Sequence, residues 1–130
     1  MAVTVLLDTH TVLWALMEPA RLSTPVRDVL SDRTSNVLVS AASAWEIATK
    51  HRLGKLPEAD EVVVGFIDHL RMFGAEELAI TSAHALAAGR FRIDHRDPFD
   101  RMLAAQSMIM GVALVTSDPV FGRFPCGTFW

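Results

Sequence analysis

The segment HRDPFDRMLAAQ, residues 95–106, sets Asp97 and Asp100 at the mouth of an otherwise apolar run, with Arg96 and Arg101 beside them. Three more acids stand where strand-like runs end or helices begin. Asp8 closes VTVLL, Glu46 falls in the second turn of the segment after NVLVS, and Asp118 lies just past VALVT. Carboxylates about 5 Å apart repel by roughly 3 kcal/mol per pair at an effective dielectric near 20, so a cluster of three or four calls for a cation. Oxygen-only ligands with room for water suit Mg²⁺ or Mn²⁺. Such a site, with one ion or two about 4 Å apart, activates a water and steadies the charge that develops in phosphodiester cleavage. Each acid also has a plain structural use. Asp8, Asp97 and Asp118 sit at positions that favour a helix cap or turn, and a lone Glu46 is an ordinary solvated helix residue. In DPFD, Asp97 suits the cap, and Asp100, at the third helical position, is free to face elsewhere.

Only folding can assemble acids so far apart in sequence, and the pattern of elements says how. Residues 3–7 form a continuous apolar, β-branched run, the mark of a strand covered on both faces. Helical spacing follows in THTVLWALM until Pro19, then in STPVRDVLSD with Ser23 as cap and Pro25 in the first turn. NVLVS, residues 36–40, reads as a second strand. A helix follows in AASAWEIATKHRLG, with Ala44, Ile47, Ala48 and His51 on one stripe and Gly54 as its stop. Residues 60–73 read as one amphipathic helix through Val63, Phe66, Ile67 and Leu70, ended by Gly74. ELAI suggests a short strand, and TSAHALAAG a helix opened by Thr81 and closed by Gly89. Residues 98–110 leave almost no polar face, which predicts a largely buried helix ended by Gly111. Residues 112–116 make a further strand, and GTFW is a candidate edge strand. This alternation predicts one α/β domain over residues 1–130, in which functional groups gather outside the carboxyl ends of the strands.

A hydrophobic share of 51% with 21% charged residues is ordinary globular composition, which sets aside disorder and fibrous repeats. The apolar runs are too short to span a bilayer, and the N-terminus lacks the pattern of a signal peptide, so no membrane association is expected. A lone cysteine, Cys126, excludes an internal disulfide and a thiolate zinc cage; it fits a reducing compartment, and the cytoplasm is the expected location. A net charge of -3 means that a nucleic-acid substrate would have to be held by a local basic patch or through metal ions.

Taken together, LLDTHTVLWAL, SAASAWEIATKHRLGKL, HRDPFDRMLAAQ and LVTSD resemble the PIN-domain ribonucleases, and most closely the VapC-type toxins of bacterial toxin-antitoxin pairs. Each block alone is commonplace; the four in order, across almost the whole chain, are specific. The resemblance implies a PIN-like three-layer α/β/α sandwich around a short, mostly parallel sheet. It implies a Mg²⁺-dependent (or Mn²⁺-dependent) endoribonuclease acting on RNA, usually a homodimer, silenced by a VapB-like antitoxin. Carried over by position, Asp8 matches the first family acid, Glu46 the second, Asp100 the third and Asp118 the last, with Asp97 as the additional aspartate of this variant. Thr9 and Ser117, next to two of the acids, are candidates to hold waters or carboxylates around the metal. Arg90, Arg92, Arg96 and Arg101 form the most basic neighbourhood and are candidates for RNA phosphates, although arginines are more often plain surface residues.

Rival readings fit less well. A haloacid-dehalogenase-like phosphatase needs a second acid two residues after the first, where this chain has His10. A phosphoacceptor receiver domain needs an acidic pair after the first strand and a lysine near the last. The alternative from another class is a catalytically silent PIN-fold binding module whose acidic pocket receives a partner's arginine. His10, His51, His69, His84 and His95 offer no metal-binding pair at helical spacing, and no Gly-rich phosphate loop appears. Trp14, Trp45 and Trp130 read as packing or interface residues, with Trp14 and the apolar helices over residues 12–30 as one candidate lining of an antitoxin groove.

Overall fold

A computed structural model describes residues 3–130. Five strands form one sheet in the order β3-β2-β1-β4-β5: β1 is Thr4–Leu7, β2 Asn36–Ser40, β3 Ala75–Leu78, β4 Ala113–Val115 and β5 Thr128–Phe129. All four pairings are parallel, with Leu6 at the centre opposite Leu38 on one side and Leu114 on the other. Successive side chains of a strand point to opposite faces, so the unbroken apolar runs feed two cores at once. Val5, Leu7, Val37, Val39 and Val115 pack on one face with Val12, Val26, Ile47, Val62 and Leu70. Leu6, Leu38 and Leu114 pack on the other with Leu103, Ala104, Phe121 and Phe124.

The helices that supply those contacts are α1 (Thr9–Met17), α2 (Thr24–Ser31), α3 (Ala41–Arg52), α4 (Asp60–Val64) and α5 (Phe66–Phe73) on the first face. The second face is covered through α7 (Pro98–Met110), against which α6 (Ser82–Arg90) packs. The result is the expected α/β/α sandwich. Ser23 caps α2 from its side chain, and Gly74 and Gly111 end α5 and α7 in the left-handed conformation that glycine adopts at least cost.

Several local expectations shift. Residues 60–73 are two helices, not one, broken at Gly65, and Ile67 is exposed. β3 starts at Ala75, two residues before ELAI, because Ala75 pairs with Val37 directly after the Gly74 turn. The buried stripe of α3 runs through Ala42, Ser43, Glu46 and Ile47 rather than through Ala48, so Glu46 faces inward. α6 continues past Gly89 to Arg90. The last turn of α7 is open rather than buried, with Met108, Ile109 and Met110 exposed. No helix among the described residues is long and apolar enough to cross a membrane.

Candidate active site

Three central strands end on one side of the sheet, and each end delivers a polar group. Asp8, just past β1, is buried and caps α1: its Oδ1 accepts the Thr11 amide at 2.8 Å. Its Oδ2 accepts the hydroxyl of Thr116, just past β4, at 2.5 Å. The same hydroxyl accepts the Asp118 amide at 3.0 Å, fixing the turn in which Asp118 caps Pro119–Arg123 through the Val120 amide. Ser40, the last residue of β2, caps α3 and sets the helix that carries Glu46.

Glu46 is only 3% exposed, a carboxylate that cannot be left unpaired at such burial. Both its oxygens are taken. Oε1 accepts the Thr9 hydroxyl at 2.5 Å, and Oε2 lies 2.6 Å from the Lys50 ammonium one turn further along α3. Thr9 also meets the Ser43 hydroxyl at 3.0 Å. Partial burial pulls the Lys50 pKa down, but the hydrogen bond and charge of Glu46, with Asp97 and Asp100 behind it, outweigh that pull and leave it raised.

Asp97 caps α7 by accepting the Phe99 and Asp100 amides at 2.9 and 3.0 Å. That leaves Asp100 facing away from the cap, with its Oδ2 2.8 Å from His95 Nε2. Burial pushes the Asp100 carboxyl up to about 6; the His95 hydrogen bond opposes the rise, and the charges of Asp97 and Glu46 add to it. The five acids from four chain segments, Asp8, Glu46, Asp97, Asp100 and Asp118, line one hollow of about 220 Å³ with Thr9, His10, Lys50 and Phe121.

Among the described residues, no three His, Cys, Asp or Glu side chains converge into a ready-made metal cage. The donor chemistry still fits a hard divalent ion. Mg²⁺ keeps several of its waters and needs only one or two direct carboxylates, and Oδ1 of Asp100 and Oδ2 of Asp118 have no hydrogen-bond partner among the described residues. A pocket of this size with surplus negative charge answers the same need.

The expected supporting residues are redistributed. Thr9 holds a carboxylate, that of Glu46. Ser117 is exposed and holds none; the neighbour that does is Thr116, which is buried where Ser117 has turned outward. Arg101 is not available to RNA, because its guanidinium is spent on the carbonyls of Ala88, Phe91, Ile93 and His95 at 2.6–3.1 Å. Arg90 and Arg92 are exposed but line a different hollow, beside Phe91 and Met108, that shares no residue with the acidic one. Arg96 is exposed next to Asp97. Sequence reasoning passed over Lys50, Thr116 and His95. The Glu46-to-Lys50 spacing of four along a helix was a readable signal for the first; a loop histidine such as His95 gives none.

These features define an α/β/α sandwich with an acidic pocket at the carboxyl edge of a parallel sheet, placed where the strand order turns back on itself around β1. The chain belongs to the PIN domain family, whose profile matches residues 5–125. Ribonuclease VapC16 of Mycobacterium tuberculosis is 41% identical over 58 residues, a stretch that covers 45% of this chain and 41% of that relative. Among solved structures, a chain in the DNA-bound VapBC of Salmonella typhimurium superposes with a TM-score of 0.69 at 21% identity, covering 97% of this chain and 96% of that one. A chain in VapBC2 of Rickettsia felis, bound to a DNA fragment of its promoter, gives 0.65 at 15% identity, covering 96% of each. At those identities the structural likeness carries the fold alone.

Proposed function

We propose that this protein is a divalent-metal-dependent endoribonuclease that hydrolyses RNA phosphodiester bonds, and that it is the toxin of a VapBC-like pair. The carrying observation is the gathering of Asp8, Glu46, Asp97, Asp100 and Asp118 around one hollow with a single lysine and no arginine on its wall. The partial likeness to Ribonuclease VapC16 supports the same reading.

In this reading Asp8, Asp100 and Asp118 hold Mg²⁺ or Mn²⁺, directly or through water, with Asp97 and Glu46 adding charge around it. The bound ion supplies a water acidic enough to attack a phosphodiester and a positive charge for the oxygens of the transition state. The chain's own task is orientation. Thr116 and the Thr11 amide fix the Asp8 carboxylate, His95 fixes Asp100, and Thr9 with Lys50 fixes Glu46, so none of these carboxylates needs to reorganise as charge develops.

The proposal includes a VapB-like antitoxin and a homodimer. A cleft lined by Leu13, Trp14, Met17 and Leu56 meets the acidic hollow at His10, which lines both. A partner segment seated in that cleft would bring a basic side chain onto the carboxylates. For self-association, an apolar groove of about 230 Å³ between α3, α6 and α7 presents the exposed Trp45 ring against Phe99.

Cleavage of a labelled single-stranded RNA in Mg²⁺, and its loss in EDTA, tests the activity. Asp100→Asn should abolish cleavage while the circular dichroism spectrum is kept. Cleavage that survives in either EDTA or Asp100→Asn would overturn the reading.

A further inference from the structure

We propose that Lys50 is the phosphate-binding cation of the site, its ammonium held by Glu46 so that its remaining N–H groups meet a non-bridging oxygen of the RNA phosphate. This rests on the nuclease reading and adds to it a substrate-contacting residue and the number of metal ions the hollow takes.

The first ground is charge. RNA brings a negative phosphate to a wall of five carboxylates, and Lys50 is the one Lys or Arg side chain on that wall. Of the four arginines that looked suited to phosphate, Arg101 is bound to carbonyls, Arg90 and Arg92 face another hollow, and Arg96, exposed beside Asp97, does not line this one. The second ground is valence. An ammonium has three donors; Lys50 spends one on Glu46 at 2.6 Å and makes no other hydrogen bond among the described residues. Its side chain is 34% exposed against 4% for Glu46, so the pair is anchored at its inner end and open at its outer end.

The third ground concerns Glu46. A second divalent ion on the Glu46 side would have to share that carboxylate with the Lys50 ammonium 2.6 Å from it, and the two positive charges repel. The lysine therefore stands in for a second ion, and a single divalent ion is left to the Asp8, Asp100 and Asp118 side. Lysine suits this post as a compact point charge that binds phosphate without demanding planar, two-pronged geometry.

The test compares wild type with Lys50→Met and Lys50→Arg in three measurements: Mn²⁺ stoichiometry by titration calorimetry on metal-free protein, affinity for a fluorescein-labelled single-stranded RNA in Ca²⁺, and cleavage in Mg²⁺. Expected are one Mn²⁺ per wild-type chain, RNA affinity about tenfold weaker in Lys50→Met from one lost phosphate contact, and cleavage slower by about 100-fold. Lys50→Met should bind its first Mn²⁺ no more weakly than wild type, because a competing positive charge has gone, whereas damage to the fold would weaken it. Lys50→Arg should recover RNA affinity. Two equivalents of Mn²⁺ in the wild type, or wild-type RNA affinity and cleavage in Lys50→Met, would overturn the role of Lys50 while leaving the nuclease reading in place. A wild type that cleaves no RNA would remove the nuclease reading and this role together.

Discussion

Thr116 donates its hydroxyl to the buried carboxylate of Asp8 at 2.5 Å across 108 positions of sequence, and accepts the Asp118 amide with the same oxygen. One side chain thus ties the acid after β1 to the acid after β4. Thr116→Val keeps the shape and removes the tie, leaving a buried carboxylate one hydrogen bond short. The expected cost is about 1–3 kcal/mol in urea unfolding, with slower cleavage as Asp8 loses its orientation. Ser117→Ala, next door but exposed, should stay within about 0.5 kcal/mol of wild type. Equal stability of Thr116→Val and wild type would show that the bond does no structural work.

Asp100 gives the metal-free protein an unusual pH dependence. Its carboxyl titrates at about 6 in the fold against 3.8 for the unpaired group, so between those values the native state binds more protons than the unfolded chain. Stability from this group therefore falls as pH rises from about 4 to about 6 and stays low above that, a penalty on the order of 3 kcal/mol. Asp100→Asn removes the penalty and keeps an acceptor for His95. In EDTA at pH 7.5 it should melt higher than wild type, with a flatter melting-temperature profile across that window. A lower melting temperature for Asp100→Asn would reverse the sign and reject the argument.

The strands and most helices were legible because their signals are local: unbroken apolar runs for β1, β2 and β4, and caps at Ser23, Thr81 and Asp97. The meeting of the acids was legible too, since each stood at a strand end or helix start and a parallel sheet brings such ends to one edge. What failed depended on orientation. Ser117 and Thr116 are equally polar neighbours, and only the turn after β4 decides which faces Asp8. Arg101 looked like a free cation because nothing in sequence shows that the end of α6 and the loop after it fold back to offer it their carbonyls. Repulsion among the acids alone would let Asp8→Asn melt no lower than wild type without metal. The two hydrogen bonds accepted by the Asp8 carboxylate change that expectation to a modest loss.

Arg101 is the clearest case of a charged residue with a structural task. Its guanidinium gathers the carbonyls of Ala88, Phe91, Ile93 and His95, which ties the end of α6 and the following loop to α7 and so places His95 beside Asp100. Arg101→Ala leaves those carbonyls without a donor and should destabilise by at least about 2 kcal/mol, since hydrogen bonds to a charged group are each worth roughly 1.5–3 kcal/mol. Arg101→Lys cannot reach four carbonyls at once and should recover less than half of the loss. Thermal melts check this directly. Arg90→Ala and Arg92→Ala, exposed on another face, should melt like wild type, and an Arg101→Ala protein that melts with them would refute the tie.

Divalent metal should stabilise the fold, and the size of the effect discriminates among the uses of the acids. Five carboxylates share the hollow, and Lys50 is the one Lys or Arg side chain that lines it with them. If their purpose were capping alone, added Mg²⁺ would change nothing beyond weak ionic-strength screening, and NaCl at equal ionic strength would match it. If the hollow binds the ion, the native state gains free energy with the logarithm of ion concentration once the site saturates, about 2.7 kcal/mol at a hundred times the dissociation constant. The melting temperature should therefore climb with Mg²⁺ or Mn²⁺, fall back with EDTA, and fail to respond to matched NaCl. Asp100→Asn and Asp118→Asn should each blunt the climb, because each removes a charged oxygen that has no partner in the fold. Ser117→Ala should leave it intact. A flat melting temperature across Mg²⁺ and Mn²⁺ concentrations would return all five acids to structural duty and withdraw the metal from the mechanism.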